Sequence, residues 1–135
     1  MDSKKDETRG RVVATRVFQT ETGSEVVATI CEPVMIGPDE WTCNFQISGL
    51  SREVQAHGSG VDGMQALIVA LQGVRVHLEG AAEILSMLDG EPGDFGIPRS
   101  IPDGYGPEVE KHLARVLTDE VTRLVEAKWR SKGGP

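Results

Sequence analysis

The sequence predicts an α+β fold in which an antiparallel meander of about four strands carries two main helices packed on one face. Three features favour this class. The first half holds valine- and threonine-rich segments joined by short turns, one segment alternates apolar with polar residues, and the second half repeats apolar residues every three or four positions. A chain of 135 residues suits one hydrophobic core. We therefore expect a single domain at 12–132 behind a disordered leader at 1–11.

The strands are predicted from residue type and alternation. Residues 12–20 and 24–30 are rich in β-branched residues and flank a short glycine-containing turn, which favours a hairpin. The clearest alternation lies at 41–48, and its apolar positions are Trp41, Cys43, Phe45 and Ile47. Residues 52–57 are more polar and are predicted as a strand at an edge of the sheet.

Two helices are predicted in the second half. The first covers 62–79, with an apolar stripe of Met64, Leu67, Leu71, Val74 and Leu78. The second begins at Pro107 and has acidic residues in its first turn and basic residues in its last, as the helix dipole favours. Its stripe is Val109, Leu113, Val116, Leu117, Leu124, Val125 and Trp129. Residues 81–88 fit neither the helical period of about 3.6 residues nor the strand period of about two. The sequence therefore does not decide between a helix and a strand there.

Composition limits the classes of partner and compartment. A net charge of −7 repels phosphate backbones, so we expect no nucleic-acid partner. The longest apolar run, at 66–71, is too short to span a bilayer, and the first eleven residues lack the apolar core of a secretion signal. We expect no membrane partner and a cytoplasmic location, which agrees with only two cysteines.

The stretch GSGVDG at 58–63 matches the spacing of a dinucleotide-binding loop. The segment before the glycines is polar, and the strands predicted in the first half of the chain are joined by hairpins. A nucleotide-binding fold requires parallel strands joined through helices. A turn into the first helix explains more residues, because Asp62 suits an N-cap and Gln65 completes an arrangement like a capping box. A small anion at the helix N-terminus stays an alternative, with a site made by Gly58, Ser59, Gly60 and Asp62.

The remaining reactive residue types form no recognisable site. Cys31, Cys43, His57 and His77 occur singly rather than in the close pairs that zinc sites use. The acidic run at 89–94 resembles part of a calcium loop but has Ser100 where a bidentate glutamate is required. We therefore predict no catalytic residue, no metal ligand and no cofactor, and we leave enzymatic activity open while favouring its absence.

Residues 89–107 form a long connection rich in proline and glycine. Long irregular segments in compact domains are commonly ordered or functional. One interpretation is that Phe95 and its apolar neighbours cover an end of the core. The other is an interaction surface built from Phe95, Arg99 and Tyr105, which are residue types that anchor interfaces.

Three ordered motifs point to a family. They are W-x-C at Trp41, G-x-D-x-x-Q-A-L from Gly60, and G-I-P-R-x-I-P from Gly96. Together they resemble a family of small uncharacterised bacterial proteins that carries a domain-of-unknown-function label. The resemblance would cover about residues 12–125. It implies bacterial origin and a compact α+β domain, and it supplies no catalytic residues.

The function predicted from these observations is that of a non-enzymatic binding or protein-interaction domain, whose partner is an unknown protein or a second copy in a homodimer. One alternative is a binding protein or enzyme for a small anionic ligand near the turn from Gly58 to Asp62. Another is an acidic immunity-type protein that neutralises a basic partner.

Overall fold

The computed structural model describes residues 9–99 and 104–133, which fall into two compact units divided after Arg99. The first contains an antiparallel sheet and a helix, and the second contains a helix, so the chain is of the α+β class. The elements are β1 (Val12–Thr20), β2 (Glu25–Cys31), β3 (Val34–Gly37), β4 (Glu40–Ser48), β5 (Val54–Gly60), α1 (Gly63–Glu79), β6 (Leu85–Ser86) and α2 (Pro107–Ser131).

The sheet is built on a meander of β1, β2, β4 and β5, each pairing antiparallel with the next. Val26 lies opposite Phe18, and Phe45 lies opposite both Ile30 and Ala56. Because side chains alternate between the two faces of a strand, this register collects the apolar positions on one face. The alternation predicted at 41–48 is confirmed, with Cys43, Phe45 and Ile47 buried.

The strand number differs from the prediction, because the described residues contain six strands rather than about four. The first addition is β3, in a segment for which no strand is predicted. β5 pairs with β4 from Trp41 to Ile47, so β2 and β3 must share the other edge of β4. Pro33 lies between β2 and β3 and has no N–H to donate to a ladder, which explains the break.

The second additional strand, β6, lies within residues 81–88, for which the sequence left helix and strand as alternatives. Two residues pair with the end of β1, Leu85 with Thr20 and Ser86 with Gln19. Leu85 is buried, while Ile84 and Leu88 are exposed. A two-residue strand is too short to produce a detectable period, which is why neither pattern prevailed in the sequence.

The first helix packs on the sheet, but not through the full stripe predicted for it. Val74 and Leu78 are buried as expected, whereas Met64 is 73% exposed. The N-terminal half of the contact face is instead formed by Ala66 and Ala70, both fully buried. Alanine was not counted as a core residue in the stripe, yet its small side chain lets the helix backbone approach the sheet closely.

The core of the first unit is one cluster of buried side chains from the sheet, α1 and the loop after β6. Phe18 and Phe95 meet edge to face with ring centroids 6.0 Å apart, an arrangement that aromatic quadrupoles favour. The buried members are Phe18, Val26, Ala28, Ile30, Cys43, Phe45, Ile47, Ala66, Ala70, Val74, Leu78, Leu85 and Phe95.

The predicted leader at 1–11 is described only from Arg9 onward. Asn44 donates a side-chain hydrogen bond of 3.2 Å to the carbonyl oxygen of Arg9. The Glu32 amide donates to the carbonyl oxygen of Arg11 at 2.7 Å, and the Arg11 amide donates to the Glu32 carboxylate at 3.1 Å. Residues 9–11 are therefore tied to the sheet rather than frayed, whereas 1–8 lie outside the described residues.

The second unit contains α2, which begins at Pro107 as predicted. Its first turn carries Glu108 and Glu110, and its last turn carries Lys128 and Arg130. None of the described residues of this helix is buried. The predicted apolar stripe is therefore present but exposed, which differs from the expectation that it contributes to a core.

Candidate functional site

The glycines of the GSGVDG stretch lie on a strand rather than in a loop, since β5 continues to Gly60. A Cβ atom on Gly58 would lie 2.3 Å from the Ala70 nitrogen, and one on Gly60 would lie 2.5 Å from the Ala66 nitrogen. Neither distance is possible for a real side chain. These glycines therefore allow α1 to rest on the backbone of β5, which is a packing role.

The turn after Gly60 is closed by a reciprocal cap. The Gln65 amide donates to the Asp62 carboxylate at 2.8 Å, and the Val61 amide donates to the Gln65 side-chain oxygen at 2.7 Å. This resembles a capping box, as the sequence indicated, except that Gln65 accepts from the amide of Val61, the residue before the N-cap Asp62. An anion at this helix N-terminus would have to displace the Asp62 carboxylate. That carboxylate already accepts a hydrogen bond from one of the free amides of the first turn, and it is negatively charged like the anion. Ser59 lies exposed on β5.

The loop after β6 is fastened by two arginines that sequence reasoning did not single out. Arg16 of β1 donates from Nη1 to the carbonyl oxygens of Phe95 at 3.0 Å and Gly96 at 2.9 Å. Arg75 of α1 donates to the carbonyl oxygen of Ile97, and its guanidinium carbon lies 5.7 Å from the centre of the Phe95 ring. Buried or half-buried carbonyls require such donors.

The three residues of the predicted interaction surface have separate environments. Phe95 is 6% exposed and belongs to the core, which supports the interpretation that it covers one end of that core. The Arg99 side chain is exposed and lies 3.5 Å from the Glu79 carboxylate, which also pairs with Arg75 at 2.7 Å. Tyr105 is exposed and belongs to the second unit. The loop thus offers few apolar anchors for a partner.

A groove of about 220 Å³ lies between α1, strands β1 and β2, and the loop at 96–98. Its lining includes Ala14, Ala28 and Ile30 from the strands and Leu71 from α1. Of the described residues that line it, Arg16 alone is charged, and that guanidinium already holds the loop. The groove is smaller than most drug-sized ligand pockets. It supplies no convergent polar groups for catalysis.

The two thiols are placed for packing and not for reaction. Burial raises the pKa of the Cys43 thiol to about 11, and burial also raises the pKa of Cys31. The Cys43 thiol donates a hydrogen bond of 3.2 Å to the Cys31 carbonyl oxygen. A nucleophilic cysteine needs a lowered pKa, so neither thiol fits that role. Across residues 9–99 and 104–133, no group of three His, Cys, Asp or Glu side chains is arranged to hold a metal ion.

The most extensive apolar surface of the second unit is on α2. Large apolar residues occupy about half of the helix circumference at 3.6 residues per turn, and the charged residues Glu110, Glu120 and Lys128 project from the same half. We define the α2 stripe as these large apolar residues, namely Val109, Leu113, Val116, Leu117, Val121, Leu124 and Val125. Leu117 is 42% exposed, Leu124 52% and Val121 56%. Sequence reasoning found the helix and most of this stripe, but it missed Val121 and assigned the surface to the core. In the described part of the chain, no helix is long and apolar enough to cross a membrane.

Comparison with known proteins gives a family and nothing more specific. No curated protein and no solved structure matches the chain. Residues 14–99 match a family model described as a domain of unknown function, DUF6968. The match ends at Arg99, where the first compact unit also ends, so α2 lies outside it. Since this match covers more than half of the sequence, the chain belongs to the DUF6968 family of domains of unknown function.

Proposed function

We propose that the protein is a non-enzymatic interaction domain that forms a homodimer through the α2 stripe. The observation that carries the proposal is a 25-residue helix with seven large apolar residues along one half and no buried residue. Contiguous apolar surface of this kind is unfavourable in water and commonly marks an interaction site. A helix that is apolar along one side gains its stability mainly by packing that side against a partner.

A protein surface suits the α2 stripe better than a lipid surface. Helices that lie on membranes are usually rich in lysine and arginine on their polar side, because lipid headgroups are often anionic. On α2 the two signs balance, with acidic Glu108, Glu110, Asp119, Glu120 and Glu126 and basic Lys111, Arg115, Arg123, Lys128 and Arg130. The mixed charge favours a partner that itself carries both signs, as a second copy of the chain does.

Four polar or reactive side chains of the first unit have structural roles, which favours binding over catalysis as the proposed function. Asp62 is used in the cap of α1, and Arg16 and Arg75 hold loop carbonyls. The raised pKa of Cys43 keeps its thiol protonated near neutral pH. Each group thus has a structural role that accounts for its position.

The cellular setting we propose is a bacterial cytoplasm. Cys31 and Cys43 are free thiols, and a reducing compartment preserves thiols in that form. The bacterial part of this proposal depends on the motifs shared with small bacterial proteins, and purification from the native source would test it.

Sedimentation equilibrium of the full chain tests the proposed dimer. We expect the wild type to sediment as a dimer, and Leu117→Asp to shift it to monomer, because a charge would be buried in the interface. Thr122→Asp is the matched control, since it adds the same charge on the opposite side of α2 and is expected to leave the dimer intact. Far-ultraviolet circular dichroism checks that both variants keep their helix content. A wild-type monomer at all concentrations up to about 1 mM would overturn the proposal.

A further inference from the structure

Three residues of the α2 stripe, Leu117, Val121 and Leu124, belong to a seven-residue repeat that specifies how a second helix fits. Residues 110, 114, 117, 121, 124 and 128 alternate in steps of four and three, which is the spacing of a coiled-coil seam. The four central positions are apolar, Ala114, Leu117, Val121 and Leu124. The two outer positions carry charge, Glu110 near the beginning and Lys128 near the end.

Charge at the two ends distinguishes the possible orientations. In a parallel pair, equivalent residues face each other, so two glutamates would meet at one end and two lysines at the other. In an antiparallel pair, each end brings Glu110 of one copy beside Lys128 of the other. Like charges in contact are unfavourable and opposite charges favourable, so the second arrangement is the stable one. It also opposes the two helix dipoles.

We infer that two copies of α2 pair antiparallel, with Glu110 of each copy beside Lys128 of the other. This inference rests on the proposed homodimer and adds its orientation and register. The same register places Ala114 opposite Leu124 and Leu117 opposite Val121. The small Ala114 thus faces the large Leu124, while Leu117 and Val121 form the centre of the seam. The twofold axis passes level with Asp119, midway along the paired segment, so the contact is closed and self-complementary.

Charged residues also flank this seam. Glu120 lies beside the seam, and its carboxylate accepts a hydrogen bond of 3.1 Å from Nε of Arg123 in the same helix. Its charge is therefore partly neutralised before association. The acidic Glu108 and basic Arg130 continue the separation of charge toward the two ends of α2. Because the twofold axis passes level with Asp119, the Glu120 residues of the two copies lie near each other, and the pairing of each with Arg123 offsets this like-charge contact.

Charge reversal tests the orientation in the full chain. We expect Glu110→Lys and Lys128→Glu each to weaken the dimer about tenfold or more, because each creates two like-charge contacts. The double variant Glu110→Lys with Lys128→Glu restores opposite pairs and is expected to return within about twofold of the wild type. A parallel dimer would respond differently, since either single change would only replace one like-charge contact with another. Single variants with wild-type affinity would overturn the inference.

Disulfide trapping provides a second, independent readout. Under mild oxidation, Glu110→Cys alone is expected to give no cross-linked dimer through position 110, whereas an equimolar mixture of Glu110→Cys and Lys128→Cys is expected to give one. Peptide mapping identifies the joined positions, and the wild type controls for Cys31 and Cys43. Cross-linking of position 110 to itself would overturn the antiparallel arrangement and leave the homodimer standing. A monomeric wild type would instead overturn the homodimer.

Discussion

The backbone of Gly58 lies so close to Ala70 that a Cβ on Gly58 would be 2.3 Å from the Ala70 nitrogen and 2.7 Å from the Ala66 oxygen. Strand β5 and helix α1 are therefore in direct backbone contact. This backbone contact also gives a physical role to the GSGVDG stretch at 58–63, which matches the spacing of a nucleotide-binding loop. Here the glycine spacing follows from helix-on-strand packing and requires no ligand.

The first prediction concerns this contact. Gly58→Ala forces α1 away from β5, because the colliding atoms belong to the backbone and cannot rotate aside. We expect the free energy of unfolding to fall by about 2–3 kcal/mol, at the upper end of measured overpacking effects. Gly80→Ala is the control, since its nearest neighbour would lie at an ordinary 3.4 Å. Urea unfolding followed by circular dichroism measures both, and equal midpoints would contradict the proposed backbone contact.

The second prediction concerns the cap of α1. Asp62→Ala leaves the Gln65 amide without its acceptor, so we expect a loss of about 1 kcal/mol in the free energy of unfolding. Asp62→Asn keeps an oxygen acceptor while removing the charge and should lose much less. If both variants are destabilised equally, the carboxylate charge and not the hydrogen bond is the stabilising element. Thermal stability of Asp62→Asn with added phosphate also tests anion binding at this turn.

The third prediction concerns the loop that Arg16 holds. Arg16→Leu removes the donor to the carbonyl oxygens of Phe95 and Gly96, and hydrogen bonds to charged groups contribute about 1.5–3 kcal/mol. We expect trypsin to cut after Arg99 about tenfold faster or more, because local opening exposes the chain to the protease. Arg52→Leu is the matched control, since it removes one exposed arginine elsewhere. Identical cleavage rates would show that Arg16 does not hold the loop.

Sequence periodicity was sufficient for the parts of the fold that depend on local pattern. The alternation at Cys43, Phe45 and Ile47 gave the central strand, and the spacing of Val74 and Leu78 gave half of the α1 contact face. The other half consists of alanines, which carry little hydrophobic signal, and it depends on glycines of β5 that are adjacent only after folding. Short strands such as β6 contain too few residues for a period.

The candidate surface was harder to predict, because exposure is a property of the folded chain. The spacing of apolar residues on α2 is the same whether the stripe faces a core or water, so sequence alone assigned it to the core. Arg16 and Arg75 were missed for a related reason. Their acceptors, the carbonyls of Phe95 to Ile97, are distant in sequence, and a backbone carbonyl has no residue-specific signature.

The fourth prediction uses the pKa of Cys43. Burial raises this pKa to about 11, whereas a thiol in the unfolded chain ionises near pH 8.5. Between these values the unfolded state loses a proton that the folded state keeps, so stability decreases as pH rises. We expect the wild type to lose about 2–3 kcal/mol more than Cys43→Ala between pH 8 and pH 11. Below pH 8 the difference between the two proteins should be constant.

Urea unfolding of both proteins at a series of pH values measures this difference. The comparison cancels the pH-dependent contributions that both proteins share. Cys43→Ala conserves a small apolar side chain, so the variant is expected to fold, at the cost of a small cavity and of the hydrogen bond to the Cys31 carbonyl. Parallel stability curves across the whole range would mean that the thiol ionises as readily in the folded protein as in the unfolded chain, which would contradict its burial in the core.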